Sequence, residues 1–160
     1  MTSNCLQVLG PSAGGIRRHV ATLAEGLEAR GRAVTVAGPA GVMDGLWPDA
    51  AAVPAALGAS APSAVRRLRP LVRQADVVHA HGLTAGWLAW AAGAGPKLVV
   101  TVHNLVLDEA AGASTAVLRR LEGWLPGRAC ETIVISAPMQ ARFDATGTDP
   151  HVHLIPPVAP

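Results

Sequence analysis

Polar side chains that could bind or process a ligand fall at the ends of short apolar runs in this chain. The run Asp76-Val-Val-His79-Ala-His81-Gly82 ends in two histidines spaced i and i+2, which share one face if the run is a strand. No acidic or cysteine partner lies nearby in sequence, so a metal site is not indicated. His79 is expected to pack within the sheet and His81 to reach the strand end. A second run, Leu98-Val-Val-Thr-Val102, leads into His103-Asn104. Imidazole and carboxamide can both hydrogen-bond a hydroxyl or phosphate oxygen. The alternative for His103 is a core ring bonded to backbone. Ser136 follows Thr132-Ile-Val-Ile135 and stands where it would cap a helix opening near Pro138.

The turn Gly10-Pro-Ser-Ala-Gly-Gly15 lies between a strand-like run and a helical pattern. Its glycines would let backbone approach a ligand, and the helix start would offer free N–H groups to an anion. A plain tight turn would need the same residues. The spacing is not G-x-G-x-x-G, so no dinucleotide cofactor is indicated. Arg17 and Arg18 stand where a phosphate-binding loop would carry Gly-Lys-Ser. There is no G-x-S-x-G elbow. Asp108 and Glu109 are adjacent, so their carboxylates diverge; they read as loop charges and not as a hydrolytic pair.

The elements that must position these residues alternate regularly. Strands are expected at Cys5–Leu9, Ala33–Ala37, Asp76–Ala80, Lys97–Val102, Thr132–Ile135 and Val152–Ile155, with a short one around Ala51–Pro54. Helices are expected over Gly15–Arg30, from Pro62, over Thr84–Gly93, near Thr115–Trp124 and over Pro138–Ala145. In the first, Ile16, Val20, Leu23, Ala24 and Leu27 form an apolar face. Short β-branched strands separated by helices predict an α/β, Rossmann-like three-layer sandwich around a parallel sheet of six or seven strands. Three prolines among residues 156–160 end the last strand. The expectation is therefore one domain over 1–155, with an interdomain linker starting at 156–160.

Composition fits this reading. The chain has 160 residues, 50% of them hydrophobic and 15% charged, which argues against disorder. A net charge of +2 makes no general case for nucleic acid. Lys97 is the only lysine; the arginine and alanine bias reads as that of a GC-rich bacterial genome. Cys5 and Cys130 fit no metal spacing and are expected to be buried, inert thiols of a reducing cytoplasm. No signal peptide is expected, and Leu83–Gly95 is too short to span a bilayer.

Together these segments resemble the N-terminal domain of family-four, retaining glycosyltransferases of the GT-B fold. Gly14-Gly-Ile-Arg-Arg-His-Val20, Asp76-Val-Val-His-Ala-His-Gly82, Thr101-Val-His-Asn104, Ile133-Val-Ile-Ser136 with Met139 and Arg142, and Leu154-Ile-Pro-Pro157 occur in that family's order and near its spacing. Asn104 stands where Asp is frequent, and Pro157-Val158 lacks the usual glycine. The resemblance implies the acceptor-side half of an enzyme that moves a sugar from a nucleotide-sugar donor to a glycan, lipid-linked or small-molecule acceptor. It implies that Gly14 and Gly15 approach the donor and that His103 contacts the donor sugar near the reacting carbon. Arg18, His19, His81 and Asn104 would line the acceptor side. It implies no metal, no cofactor and no protein nucleophile, and a C-terminal partner domain without which this piece is inactive. A stand-alone nucleotide- or sugar-phosphate-binding module and a GT-B-like sugar-nucleotide epimerase are the other readings. Arg17, Arg18, Arg66, Arg67 and Arg73 sit on helices whose solvated faces need charge, and they could also meet anionic lipid at the inner membrane face.

Overall fold

The computed structural model describes residues 3–12, 14–47, 49–54, 60–104, 113–144 and 149–157, with backbone alone at 113–115. Strands and helices follow as β1 (Asn4–Leu9), α1 (Gly15–Glu28), β2 (Ala33–Gly38), β3 (Ala51–Ala52), α2 (Ala61–Gln74), β4 (Val77–His81), α3 (Leu83–Ala91), β5 (Leu98–Val102), α4 (Ala113–Trp124), β6 (Glu131–Val134), α5 (Ala137–Phe143) and β7 (Val152–Leu154). The strands form one seven-stranded sheet in the order β3-β2-β1-β4-β5-β6-β7. Every pairing is parallel. The expected Rossmann-like α/β architecture is the observed one.

Strand order locates the crevice. The chain starts at β1, steps outward to β3, returns through α2 to β4 on the other flank of β1, and then steps outward to β7. The direction of travel reverses between β1 and β4. In open parallel sheets the crevice beyond the carboxyl ends of such strands is where ligands bind.

Alternating residues feed two cores. Leu6 and Val8 of β1, Val78 and Ala80 of β4, and Leu98, Val100 and Val102 of β5 pack with Ala64, Leu68 and Val72 of α2 and with Ala85, Leu88 and Ala89 of α3. Leu9 and Val36 pack instead with Val20, Ala21 and Ala24 of α1 and with Val42 and Met43. Residues on the α1 side of the central strands are largely polar: Gln7, His79, His81 and Thr101 are all buried. Burial in a central parallel strand leaves such groups only each other as partners.

Several boundaries differ from the sequence reading. β3 is reduced to two residues, α3 starts at Leu83, and α5 starts at Ala137. Asp108, Glu109 and Ala145 lie outside the described residues. Arg17 is half-buried, and its Nη2 donates to the Asp44 carbonyl at 3.0 Å, so it is not simply a solvated charge. The expectation of a buried Cys130 is incorrect. It precedes β6 and is exposed, with its backbone N–H bonded to Leu98 O, because the helical layers cover the strands and not the turns entering them. Cys5, within β1, is half-buried. Pro156 and Pro157 are exposed and belong to no element. Among the described residues no helix is long and apolar enough to cross a membrane.

Candidate active site

Both loops at the switch point turn on a glycine whose backbone other residues rarely adopt. Gly14, the N-cap of α1, has φ 62° and ψ −123°. Gly82, the N-cap of α3, has φ 90° and ψ 167°, in a region open essentially to glycine. A Cβ at either position would meet nothing within 4 Å. Conformation, not space, therefore requires glycine there. Neither helix start carries a side-chain cap hydrogen bond or an acidic residue in its first turn. Their leading N–H groups and partial positive charge are left for an anionic ligand at the crevice. Ser136 is the N-cap of α5, as expected, but likewise makes no side-chain cap bond.

Between these loops lies a buried polar relay. Gln7 Nε2 donates to Cys5 Sγ at 3.2 Å, and Gln7 Oε1 lies 2.7 Å from His81 Nε2. His81 Nδ1 lies 3.2 Å from His103 Nε2. His79 Nε2 bonds Thr101 Oγ1 at 2.7 Å. The His19 ring meets those of His81 and His103 edge-on, at centroid distances of 5.8 and 5.6 Å. His79 packs within the sheet and His81 stands at the end of β4, as expected.

Burial makes these rings poor bases. Desolvation, with smaller repulsion from His19 and His103, pushes His79 down to about 4. Desolvation, then His19, does the same to His103, again to about 4. His81 is held well below the usual imidazole range by burial and by its three neighbours. At neutral pH the cluster is uncharged and acts through directed hydrogen bonds. Positive potential at the crevice then comes from the two helix starts.

A cleft of about 320 Å³ opens beside the relay. His81, His103 and Asn104 line it, together with Gly82 and residues of the first loop. Gly14, Gly15 and Arg18 are exposed near its mouth end of α1 but do not line it, and His19 reaches it only through its ring contacts. Among the described residues no group of His, Cys, Asp and Glu is placed to hold a metal ion. A further concavity of about 350 Å³ lies at the opposite end of the sheet, against Arg69, Arg73 and Lys97. Lys97 Nζ is bonded there to the Val72 and Ala75 carbonyls.

Sequence reasoning missed Gln7, Thr84, Trp87, Leu118 and Leu121. Gln7 had a visible signal as the one amide inside an apolar strand, yet its partner His81 lies 74 residues away. The others had none, because α3 and α4 read simply as amphipathic or apolar helices.

Comparisons with known proteins agree with this geometry. The Glycosyltransferase Family 4 model matches residues 13–158. No curated protein matches the chain in sequence. Among solved structures, a UDP-N-acetylglucosamine 2-epimerase from Rickettsia bellii superposes with a TM-score of 0.69 at 12% identity, over 96% of this chain and 44% of that one. Sucrose-phosphate synthase from Thermosynechococcus elongatus gives 0.65 at 19% identity, over 96% and 48%. An alpha-glucosyltransferase in complex with UDP-glucose and DNA containing an abasic site gives 0.60 at 11% identity, over 99% and 44%. The chain thus spans less than half the length of these relatives, which are similar in fold. With the family match covering residues 13–158, from the start of α1 through the ends of β4 and β5 to the segment beyond β7, the chain belongs to Glycosyltransferase Family 4.

Proposed function

We propose that this chain is the acceptor-side domain of a retaining glycosyltransferase that uses a nucleotide-sugar donor. The observation that carries the reading is the cleft that His103 and Asn104 share with Gly82, the uncapped start of α3, and with Ile16 in the first turn of the likewise uncapped α1. In such a transfer the acceptor oxygen bonds to the anomeric carbon and the bond to phosphate oxygen breaks. The diphosphate leaves with the electron pair and takes up the acceptor proton. Negative charge grows on the leaving group, and fixed N–H dipoles stabilise it without reorganising. Gly14 and Gly15 are assigned to the donor on this basis. His103, neutral and hydrogen-bonded through Nε2, is assigned to the donor sugar near the reacting carbon. Arg18, His19, His81 and Asn104 are assigned to the acceptor side. No described side chain lining the cleft is a carboxylate, so the reading uses no protein nucleophile. It calls on no metal and no cofactor.

Donor binding is expected to need a second wall, supplied by a C-terminal domain that would follow the linker at 156–160. The test is nucleoside diphosphate release by the complete protein across a panel of UDP-, GDP- and ADP-sugars with mixed acceptors, followed by the anomeric configuration of the product. Acceptor-dependent release with retention supports the reading. Inversion refutes the retaining step, and no turnover of any donor refutes the activity. The fold match to an epimerase motivates one control. Conversion of UDP-N-acetylglucosamine to an epimer without acceptor would replace transfer by epimerisation.

A further inference from the structure

The cleft is chemically two-sided. The ends of β4 and β5 give it His81, His103 and the exposed Asn104. The helices give it Ile16 of α1, Leu83, Thr84 and Trp87 of α3, and Leu118 and Leu121 of α4, so that among the described residues Thr84 carries the one polar side chain on these walls. The Trp87 indole N–H is already donated to the Leu121 carbonyl at 3.1 Å. That bond ties α3 to α4 and leaves the indole only its apolar surface to offer. Ser12, at the mouth, donates its hydroxyl to the Gly10 carbonyl at 3.1 Å. No Asp, Glu, Lys or Arg lines the cleft among the described residues. Leu118 nonetheless stands 41% exposed on its rim.

We infer that this cleft takes an acceptor with an apolar body, an aryl or alkyl alcohol, whose hydroxyl reaches the His103 and Asn104 end. The inference rests on the glycosyltransferase reading for its chemistry, but not for its binding class. A sugar ring placed against these walls would lose water from several hydroxyls and find few partners there. Among the described residues a charged acceptor would find no charged side chain on these walls. An apolar ring or short chain removes the exposed Leu118 and the Trp87 surface from water, and its single hydroxyl meets the polar residues at the strand ends. The volume suits one small ring system or a short chain.

The experiment is ligand titration of the isotope-labelled 160-residue chain without donor, following the four tryptophan indole N–H signals and the His103 ring. The probes are 2-naphthol, 1-octanol and methyl α-glucoside. One of the two apolar alcohols is expected to shift Trp87 and His103 and to bind at least tenfold tighter than the glucoside. The tighter of the two tells aryl from alkyl. Leu118→Asn, at an exposed position, is expected to weaken that binding about tenfold, and Leu118→Met to leave it near wild type. Binding of the glucoside as tight as the alcohols overturns the inference. So do shifts centred on Trp90 or Trp124, or alcohol binding unchanged by Leu118→Asn. Because no donor is present, alcohol binding without any sugar transfer by the complete protein would sink the glycosyltransferase reading alone.

Discussion

His81 Nδ1 lies 3.2 Å from His103 Nε2, and the proton between them is decided at the other nitrogen of His81, by the side chain of Gln7. The amide of Gln7 turns its nitrogen to Cys5 and its oxygen to His81 Nε2. An amide oxygen can only accept, so His81 carries its proton on Nε2. Neutral His81 then has a bare Nδ1, which accepts from His103 Nε2–H and leaves His103 Nδ1 unprotonated. Turning the amide over would reverse every donor in the relay. Nitrogen-15 spectra of the rings at neutral pH are expected to show His103 as the Nε2–H tautomer, and the opposite tautomer would reverse the assignment. Gln7→Leu, which removes the acceptor, is expected to mix the His103 tautomers.

His103→Ala in the complete enzyme is expected to lower kcat by roughly two to three orders of magnitude, the range for losing one well-placed transition-state hydrogen bond. Donor affinity should change little, because the helix starts at Gly14 and Gly82 remain. Unchanged turnover would make His103 a structural ring held by His81.

Stability should depend on pH through the buried rings. His79 has an ordinary pKa of 6.5 when unfolded and about 4 when folded. Between those values the unfolded chain holds the proton and the folded chain does not. Folding stability is therefore fully present above about 6.5 and is lost as pH falls toward 4. The contribution of His79 is on the order of 3 kcal/mol, and His81 acts in the same direction. Urea midpoints at pH 7.5 and 5 check this. His79→Gln, which cannot charge, should flatten the profile, and an unaltered slope would remove His79 as its source.

Gly82→Ala is expected to destabilise by ~1–3 kcal/mol through strain alone, since its φ of 90° suits glycine and a Cβ there would meet no atom. The melting temperature should drop by roughly 2–4 °C per kcal/mol. A neutral Gly82→Ala would show that the loop can relax at little cost.

The two thiols should differ in reactivity. Cys130 is exposed, whereas Cys5 is half-buried with its thiol pushed up by burial. One fast and one slow equivalent are expected with a thiol reagent at pH 8, and Cys130→Ser should remove the fast one. Two equal rates would contradict the burial of Cys5.

Much of the architecture was written locally. Runs such as Lys97-Leu-Val-Val-Thr-Val102 are β-branched and too short for helices, and the Gly10–Gly15 turn announces a strand giving way to a helix. Boundaries slipped where local signals are weak, as at β3, whose two residues lie in an Ala- and Pro-rich stretch. The burial of Cys130 was misjudged because proximity to an apolar run says nothing about which side of a strand end a side chain takes.

What the sequence alone determined is the succession of strands, helices and polar strand ends, because those depend on residues within a few positions of each other. Which ends meet was decided only by the tertiary structure. Strand order placed β4 beside β1 and so brought His81 against Gln7, 74 residues away, and His103 against His81. The neutrality of those rings was decided there too, since desolvation depends on what packs around a group and not on its neighbours in the chain. The apolar half of the cleft has the same origin. Trp87 and Leu121 belong to separate helices, and only the tertiary contact between them, with the indole bonded across to the Leu121 carbonyl, makes them a wall.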